Sequence, residues 1–241
     1  KEGTVYWLGV NHSFDLNGDG LVDFTDMNIL GQEQWAYGWK STPDNWNDDA
    51  VWVDINTFGT GGQVVPPNGA AWHELRYPAG HPRGGESLDL AFQITTPKEV
   101  RKWSQPPAPY EPPAYNGWDE LSWYQYEWIT ADDWVCSDPL PVTDVHWWGS
   151  FVGYDSTQGT EGLMPDAFHF AIWTDVPAGV DQPFSHPGTV LWEHYCTDYT
   201  ADFVGWDIDP RDPYAVPEAT FYFQQDLPEE AWFYQEEPQT I

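Results

Sequence analysis

The residues from Asp15 to Asp26, DLNGDGLVDFTD, place an oxygen ligand at nearly every second position. A hard cation such as Ca²⁺ takes about six to eight oxygen ligands, and a twelve-residue calcium loop supplies them from positions 1, 3, 5, 7, 9 and 12. Here those positions hold Asp15, Asn17, Asp19, Leu21, Asp23 and Asp26. Leu21 would contribute its backbone carbonyl, and Gly20 occupies position 6, where the turn needs a positive φ. The spacing predicts a Ca²⁺ site.

This loop resembles the dockerin-type, EF-hand-like calcium loop. Position 12 is Asp26 in place of the usual glutamate, no obvious helix precedes the loop, and a short helix is expected after it in FTDMNIL. We therefore expect a calcium loop–helix insertion over residues 15–34. The alternative is an Asx-rich surface turn without an ion. Dockerins use two loop–helix repeats, and the single one here makes a cohesin partner the weaker idea.

The two cysteines, Cys136 and Cys196, are too few for a metal cluster and form no Cys-x-x-Cys pair. In an extracellular protein a disulfide between them would close a loop of about 60 residues and add roughly 4 kcal/mol of stability. We predict this bond; the alternative is a pair of buried free thiols.

The charge balance excludes some partners. Lys and Arg number 8 against 39 Asp and Glu, a formal net charge of −31, so a nucleic acid would be repelled and anionic membrane surfaces are disfavoured. Aromatic residues make up 17% of the chain, which distinguishes it from acidic disordered proteins. No stretch reaches the roughly 20 apolar residues of a membrane span. The first residues lack the features of a signal peptide, so the chain looks mature or trimmed.

Short runs rich in Val, Ile, Tyr, Phe and Trp recur between Gly, Pro, Asn and Asp clusters, which is typical of many short strands. The candidate strands include AFHFAIWTDV from Ala167 and AWFYQ from Ala231. In AFHFAIW, the residues Phe168, Phe170 and Ile172 fall on one face of the predicted strand, and Ala167 and Trp173 fall on the other. The pattern predicts an all-β fold, an antiparallel β-sandwich or jelly roll, as a single domain over residues 1–241. The proline-rich residues 102–124 are expected to wrap around it.

Several aromatic motifs resemble a family of secreted bacterial β domains of unknown function. They include KWSQPP from Lys102, FHFAIWTDVPAG from Phe168 and QDLPEEAWFYQE from Gln225. In that family, segments like VYWLGV at Val5, YGWK at Tyr37 and LAFQITT follow these motifs. Here they precede them, so residues 1–97 and 98–241 form two halves in rotated order, as in a circular permutant. The resemblance implies no known activity.

Paired acids occur at Asp48 with Asp49, Asp132 with Asp133 and Asp207 with Asp209. Because neighbouring side chains in a strand point to opposite faces, such pairs indicate solvent contacts or a second cation site, and we do not expect an enzyme. The seventeen tryptophans could stack on sugar rings, but we expect most of them in the core.

We therefore expect an extracellular or cell-surface structural protein, acidic and stabilised by Ca²⁺, that forms a homopolymeric filament by strand exchange. The expected assembly strand, a donor strand at the sheet edge, contains Val5, Tyr6, Trp7 and Leu8. Its partners would be other copies of the chain, joined head to tail. A closed permuted monomer remains open as an alternative to the polymer. The alternative function is a carbohydrate-binding or adhesion module with a polysaccharide partner.

Overall fold

The computed structural model describes residues 3–13, 37–54, 72–97, 100–107, 109–111, 114–115, 117–122, 128–151, 164–212, 214 and 216–235. These residues form sixteen strands and one short 3-10 helix, with no α-helix in the described part. The protein is therefore all-β, as the sequence predicts. The predicted calcium loop–helix insertion, residues 15–34, lies outside the described residues.

The first sheet, sheet A, has six strands in the order β14-β13-β1-β11-β3-β4. Their bounds are β1 Val5–Ser13, β3 Val51–Asp54, β4 His73–Glu74, β11 Trp128–Val135, β13 Ala167–Val176 and β14 His186–Cys196. Every pair in this sheet is antiparallel.

The second sheet, sheet B, has ten strands. The bounds are β2 Tyr37–Thr42, β5 Asp89–Leu90, β6 Phe92–Thr95, β7 Arg101–Gln105, β8 Pro109–Glu111, β9 Ala114–Tyr115, β10 Asp119–Leu121, β12 Asp144–Phe151, β15 Thr200–Asp207 and β16 Glu218–Asp226. The main path is β10-β2-β12-β16-β15-β9-β8, with β5 paired to β2 and with β6 paired to β12 and β7. Only the short β15–β9 pair is parallel within the described strands.

The two sheets face each other across an aromatic core, which makes the fold sandwich-like. Phe168 of sheet A lies 4.8 Å from Trp147 and 5.1 Å from Phe223 of sheet B, measured between ring centroids. A second, smaller cluster covers the outer face of sheet A and contains Trp7, Trp72 and Trp173. The central strands of sheet A are therefore buried on both faces.

The predicted alternation in β13 is confirmed. Phe168, Phe170 and Ile172 lie in the core between the sheets, whereas Ala171 and Trp173 lie in the outer cluster. The strand has the bounds that the pattern AFHFAIWTDV indicates.

Two other predictions need correction. The proline-rich residues 102–124 contribute β8, β9, β10 and most of β7 to sheet B rather than only wrapping around it. Proline cannot donate to a ladder, which keeps these strands short. The predicted strand AWFYQ begins instead in a 3-10 helix, Glu229–Ala231, and is tied to the body by one bridge from Phe233 to Val142.

Candidate metal sites

The residues predicted to bind Ca²⁺ are Asp15, Asn17, Asp19, Leu21, Asp23 and Asp26, and all six lie outside the described residues. The calcium loop therefore stays a prediction. The sites described below come from other acidic residues.

The predicted disulfide is absent, because Cys136 and Cys196 are buried free cysteines. Cys136 is hydrogen-bonded to the backbone near the start of β1, at Thr4, whereas Cys196 pairs with Phe168, which is level with His12 at the other end of β1. The two cysteines also lie on opposite sides of β1 and β13. Three strand spacings of about 4.8 Å and eight residues along the strand separate them by roughly 30 Å, far beyond the reach of a disulfide.

The prediction that the first strand lies at a sheet edge is wrong, because this strand lies in the middle of sheet A. Val5, Tyr6, Trp7 and Leu8 belong to β1, which pairs with β11 on one side and with β13 on the other. Tyr6, Trp7 and Leu8 are at most 5% exposed. In the single chain, the two flanking strands satisfy the backbone groups that we expected to be unpaired.

The burial of the tryptophans bears on the alternative of a carbohydrate-binding surface. None of the fifteen within the described residues is exposed, and Trp147 is fully buried while its neighbour Trp148 is half-buried. The described part of the chain therefore offers no flat row of indoles for a sugar surface.

A buried lysine forms the centre of the first acidic cluster. Lys40 on β2 has a fully buried side chain, and its Nζ lies 2.5 Å from Asp207 Oδ1 and 3.2 Å from Asp119 Oδ1. Asp119 also accepts a hydrogen bond from Ser150 Oγ at 2.7 Å. Burial raises the pKa of Asp119 well above its usual range, although Lys40 opposes that shift. Burial alone would lower the Lys40 pKa, but the two aspartates raise it overall.

A surface pocket of about 150 Å³ opens beside this lysine. Asp119, Asp207 and Glu218 each offer an oxygen within 4.8 Å of the others, so the group could hold a metal ion. Arg211 covers the Trp118 ring at 4.3 Å from its centroid and pairs with Asp209 at 2.7 Å. Because Lys40 already supplies positive charge here, a metal ion would have to compete with it.

The second acidic cluster lies where the segment between β2 and β3 meets β4. Asp48, Asp49 and Glu74 each offer an oxygen within 4.8 Å of the others. Arg76 Nη2 lies 2.6 Å from Asp49 Oδ2 and 3.0 Å from Glu74 Oε1. This group could also hold a metal ion, and its cationic partner is half exposed.

The adjacent acids of β11 point in opposite directions, as predicted. Asp132 Oδ2 accepts hydrogen bonds from Leu90 N at 2.6 Å and Gln105 Nε2 at 2.5 Å. Asp133 Oδ2 accepts one from Asn47 Nδ2 at 2.5 Å, which ties the second cluster to sheet A. Both aspartates are 1% exposed, so neither is the solvent contact that paired acids usually make.

Sequence reasoning missed Lys40, Asp119, Glu74 and Asp89 as members of acidic clusters. The sequence did contain an indication that Lys40 is buried beside acids, because it lies in the apolar segment YGWK of a chain with few basic residues. No local pattern marks Asp119, Glu74 or Asp89, because their partners are brought to them by strand pairing.

These features define an acidic, two-sheet β protein with carboxylate clusters that could bind a metal ion. The chain belongs to the family described as a domain of unknown function, DUF7901, whose model matches residues 1–95 and 101–241. No curated protein and no solved structure matches the chain. Among the described residues, no helix has the length and apolar character that crossing a bilayer requires.

Proposed function

We propose that this protein is a calcium-stabilised extracellular structural protein whose copies join into a filament by exchanging β1. The observation that carries the proposal is the position of β1, between two strands that lie more than a hundred residues later in the chain. Another copy could supply β1 to the same place with the same register. Such head-to-tail exchange propagates as a filament.

The burial of β1 gives the exchange its driving force. Tyr6, Leu8 and Val10 enter the core between the sheets, and Trp7 enters the outer cluster. A copy that lacked this strand would expose β11 and β13 along their full edges, which promotes pairing with another chain.

The two ends of the described chain lie side by side, which supports the rotated order of the halves. Gly3 N donates to Cys136 O at 2.8 Å, and Cys136 Sγ donates to Gln235 Oε1 at 2.8 Å. The Tyr6 and Phe233 rings are 5.7 Å apart. The segment that precedes β1 in the unrotated family order is therefore next to β1 in space.

The predicted calcium loop lies in the connection from β1 to β2, residues 14–36. Fully extended, a connection of that length spans at most roughly 80 Å. Ca²⁺ binding in this connection would fix the direction in which β1 leaves its own subunit.

Exchange can be tested by crosslinking two different variants, because Val5 and Val135 are directly opposed in the β1–β11 ladder. One variant carries Val5→Cys and the other Val135→Cys, both with Cys136→Ser and Cys196→Ser. Mixed with Ca²⁺ and oxidised, they should form a disulfide-linked heterodimer, since opposed side chains have Cβ atoms about 5 Å apart.

The matched control replaces Val135→Cys with Ser137→Cys, which is outside the ladder. Crosslinking confined to the Val5–Val135 mixture supports exchange. A full-length protein that stays monomeric by light scattering at high concentration with Ca²⁺, and forms no crosslink, overturns it.

A further inference from the structure

The surface pocket beside Lys40, which we call the Trp118 pocket, combines charged and apolar side chains in a small space. Its volume of about 150 Å³ is well below the roughly 300–1,000 Å³ of pockets that take drug-sized ligands. The pocket therefore suits one ring-sized unit rather than a large cofactor. The charged residues that line it, within the described part of the chain, are Asp119, Asp207, Asp209, Glu218 and Arg211.

The acids of the Trp118 pocket already have cationic partners within the protein. Lys40 Nζ lies 2.5 Å from Asp207 Oδ1 and 3.2 Å from Asp119 Oδ1. Arg211 holds Asp209 in a fork, with Nε 3.0 Å from Oδ1 and Nη2 2.7 Å from Oδ2. A cationic ligand would have to displace one of these groups. An anion would be repelled, because four acids outnumber two cations, so the pocket favours a neutral ligand.

The same carboxylates keep the capacity to accept hydrogen bonds from a ligand. A carboxylate has about four lone-pair sites, and one ion pair occupies only part of them. The Asp119 side chain is 8% exposed, and its Oδ2 accepts from Ser150 Oγ at 2.7 Å. Its buried Oδ1 accepts no hydrogen bond from the described residues, although Lys40 Nζ lies 3.2 Å away. A buried oxygen in this state calls for an O–H or N–H donor.

Trp118 and Val216 give the pocket an apolar side. Trp118 is held against β2, because its N–H donates to Ser41 Oγ and its carbonyl accepts from Ser41 N, both at 2.8 Å. Val216 is 62% exposed. The Arg211 guanidinium lies 4.3 Å from the centroid of the Trp118 ring and places N–H donors beside it. An aromatic ring beside fixed polar groups suits a molecule with hydroxyl groups on its edge and C–H groups on its face.

We propose that the Trp118 pocket binds one unit of a neutral sugar. The sugar hydroxyls donate to the carboxylates and accept from Arg211, and the C–H groups of the ring contact Trp118 and Val216. Such a site takes a free sugar or the end of a glycan, whereas a flat row of indoles would bind along a polysaccharide. The proposal goes beyond the exchange of β1 and does not depend on it.

The test is saturation-transfer difference NMR of the full chain in EDTA, which excludes a bridging metal ion. The probes are methyl glycosides of glucose, galactose, mannose and N-acetylglucosamine. At least one should give a saturable signal. The methyl glycoside of the matching hexuronic acid should bind at least tenfold more weakly, since its carboxylate would meet the acids of the pocket.

The source of the sugar is tested with immobilised neutral oligosaccharides that end in the unit that binds. Retention of the protein on such an oligosaccharide identifies a glycan end as the ligand. Binding of the methyl glycoside alone identifies a free sugar. Both results support the proposal.

The variant Arg211→Ala/Glu218→Ala should weaken binding tenfold or more, because it removes a donor and an acceptor with charge-assisted hydrogen bonds. The matched control is Arg83→Ala/Glu86→Ala. Arg83 also lies over an aromatic ring, 4.6 Å from the Tyr77 centroid, and pairs with Glu86 at 2.9 Å, but neither residue lines the pocket. The control should leave binding unchanged.

Cooperative melting in EDTA shows that both double variants are folded. No saturable signal with any of the four glycosides, or equal binding by the two double variants, overturns the proposal. Methyl glucosaminide, which carries an ammonium group, tests for a cation site. If it binds while the neutral glycosides do not, the proposal is wrong.

Discussion

Lys40 is one of only 8 basic residues in a chain with 39 acidic ones, and its side chain is fully buried between two aspartates. We expect Lys40→Met to lower the free energy of unfolding by about 3–5 kcal/mol, because it leaves Asp119 and Asp207 buried without a partner charge. Urea denaturation measures the change. Adding Asp119→Asn and Asp207→Asn to Lys40→Met should restore much of the loss. Equal stability of Lys40→Met and wild type would show that the aspartates are protonated without it.

The buried aspartates Asp89 and Asp133 predict that stability in EDTA depends on pH. Burial raises the pKa of Asp89 to about 7 and that of Asp133 to about 8, above the usual carboxyl value of 3.8. The folded state therefore holds these protons more tightly than the unfolded state. Their contribution to stability is complete below about pH 4 and is lost as the pH rises through 7 and 8, by up to about 1.4 kcal/mol per pH unit for each group.

The measurement is the free energy of unfolding in EDTA between pH 5 and pH 8. Wild type should lose stability with rising pH more steeply than Asp89→Asn/Asp133→Asn does. Asp198→Asn/Asp202→Asn should keep the wild-type slope. Parallel curves for all three proteins would mean that the two buried aspartates do not titrate in this range.

The close packing of strand β12 against strand β2 requires a glycine at position 149. A Cβ added at Gly149 of β12 would overlap with the Tyr37 ring of β2, which is itself fully buried against Phe168 and Phe223. We expect Gly149→Ala to lower the free energy of unfolding by about 1–3 kcal/mol or more, since a packed core cannot absorb the added atom.

A double-mutant cycle separates this overlap from a general effect of the substitution. When Tyr37→Ala has removed the ring, adding Gly149→Ala should cost little, because alanine is otherwise acceptable in a strand. Additive losses in the double variant would show that the Tyr37 ring is not what excludes a side chain at Gly149.

For the whole molecule, the formal net charge of −31 means that the folded chain repels itself. We expect the melting temperature in EDTA to rise by several degrees between 10 mM and 0.5 M NaCl, because the screening length falls from about 30 Å to a few ångströms. Asp198→Lys/Asp202→Lys reverses two exposed charges and should reduce this rise. Differential scanning calorimetry measures both. A melting temperature that is independent of NaCl would mean that the charges are too far apart to matter.

We expect Ca²⁺ to raise the melting temperature by more than charge screening alone does. At constant ionic strength, replacing part of the NaCl with CaCl₂ should raise the melting temperature further, since a bound ion stabilises the native state by mass action. MgCl₂ at the same concentration is the control, because Mg²⁺ demands stricter geometry and dehydrates reluctantly. Equal shifts with both salts would indicate screening without a selective site.

The sequence by itself determined the fold class and several of the longer strands, because alternation of apolar residues is a local pattern with a period of two. The bounds of β13, the opposite faces of Phe168 and Trp173, and the opposite directions of Asp132 and Asp133 all follow from that period.

Only the tertiary structure decided which strands are neighbours. Strand pairing joins segments far apart in the chain, so no local pattern could show that β1 is central or that Cys136 and Cys196 lie at opposite ends of sheet A. The same holds for the acidic clusters, since Asp48, Glu74, Asp89 and Asp133 come from four separate segments. The burial of Asp89 and Asp133 arises from long-range packing, whereas the spacing that predicts the calcium loop is contained in twelve consecutive residues.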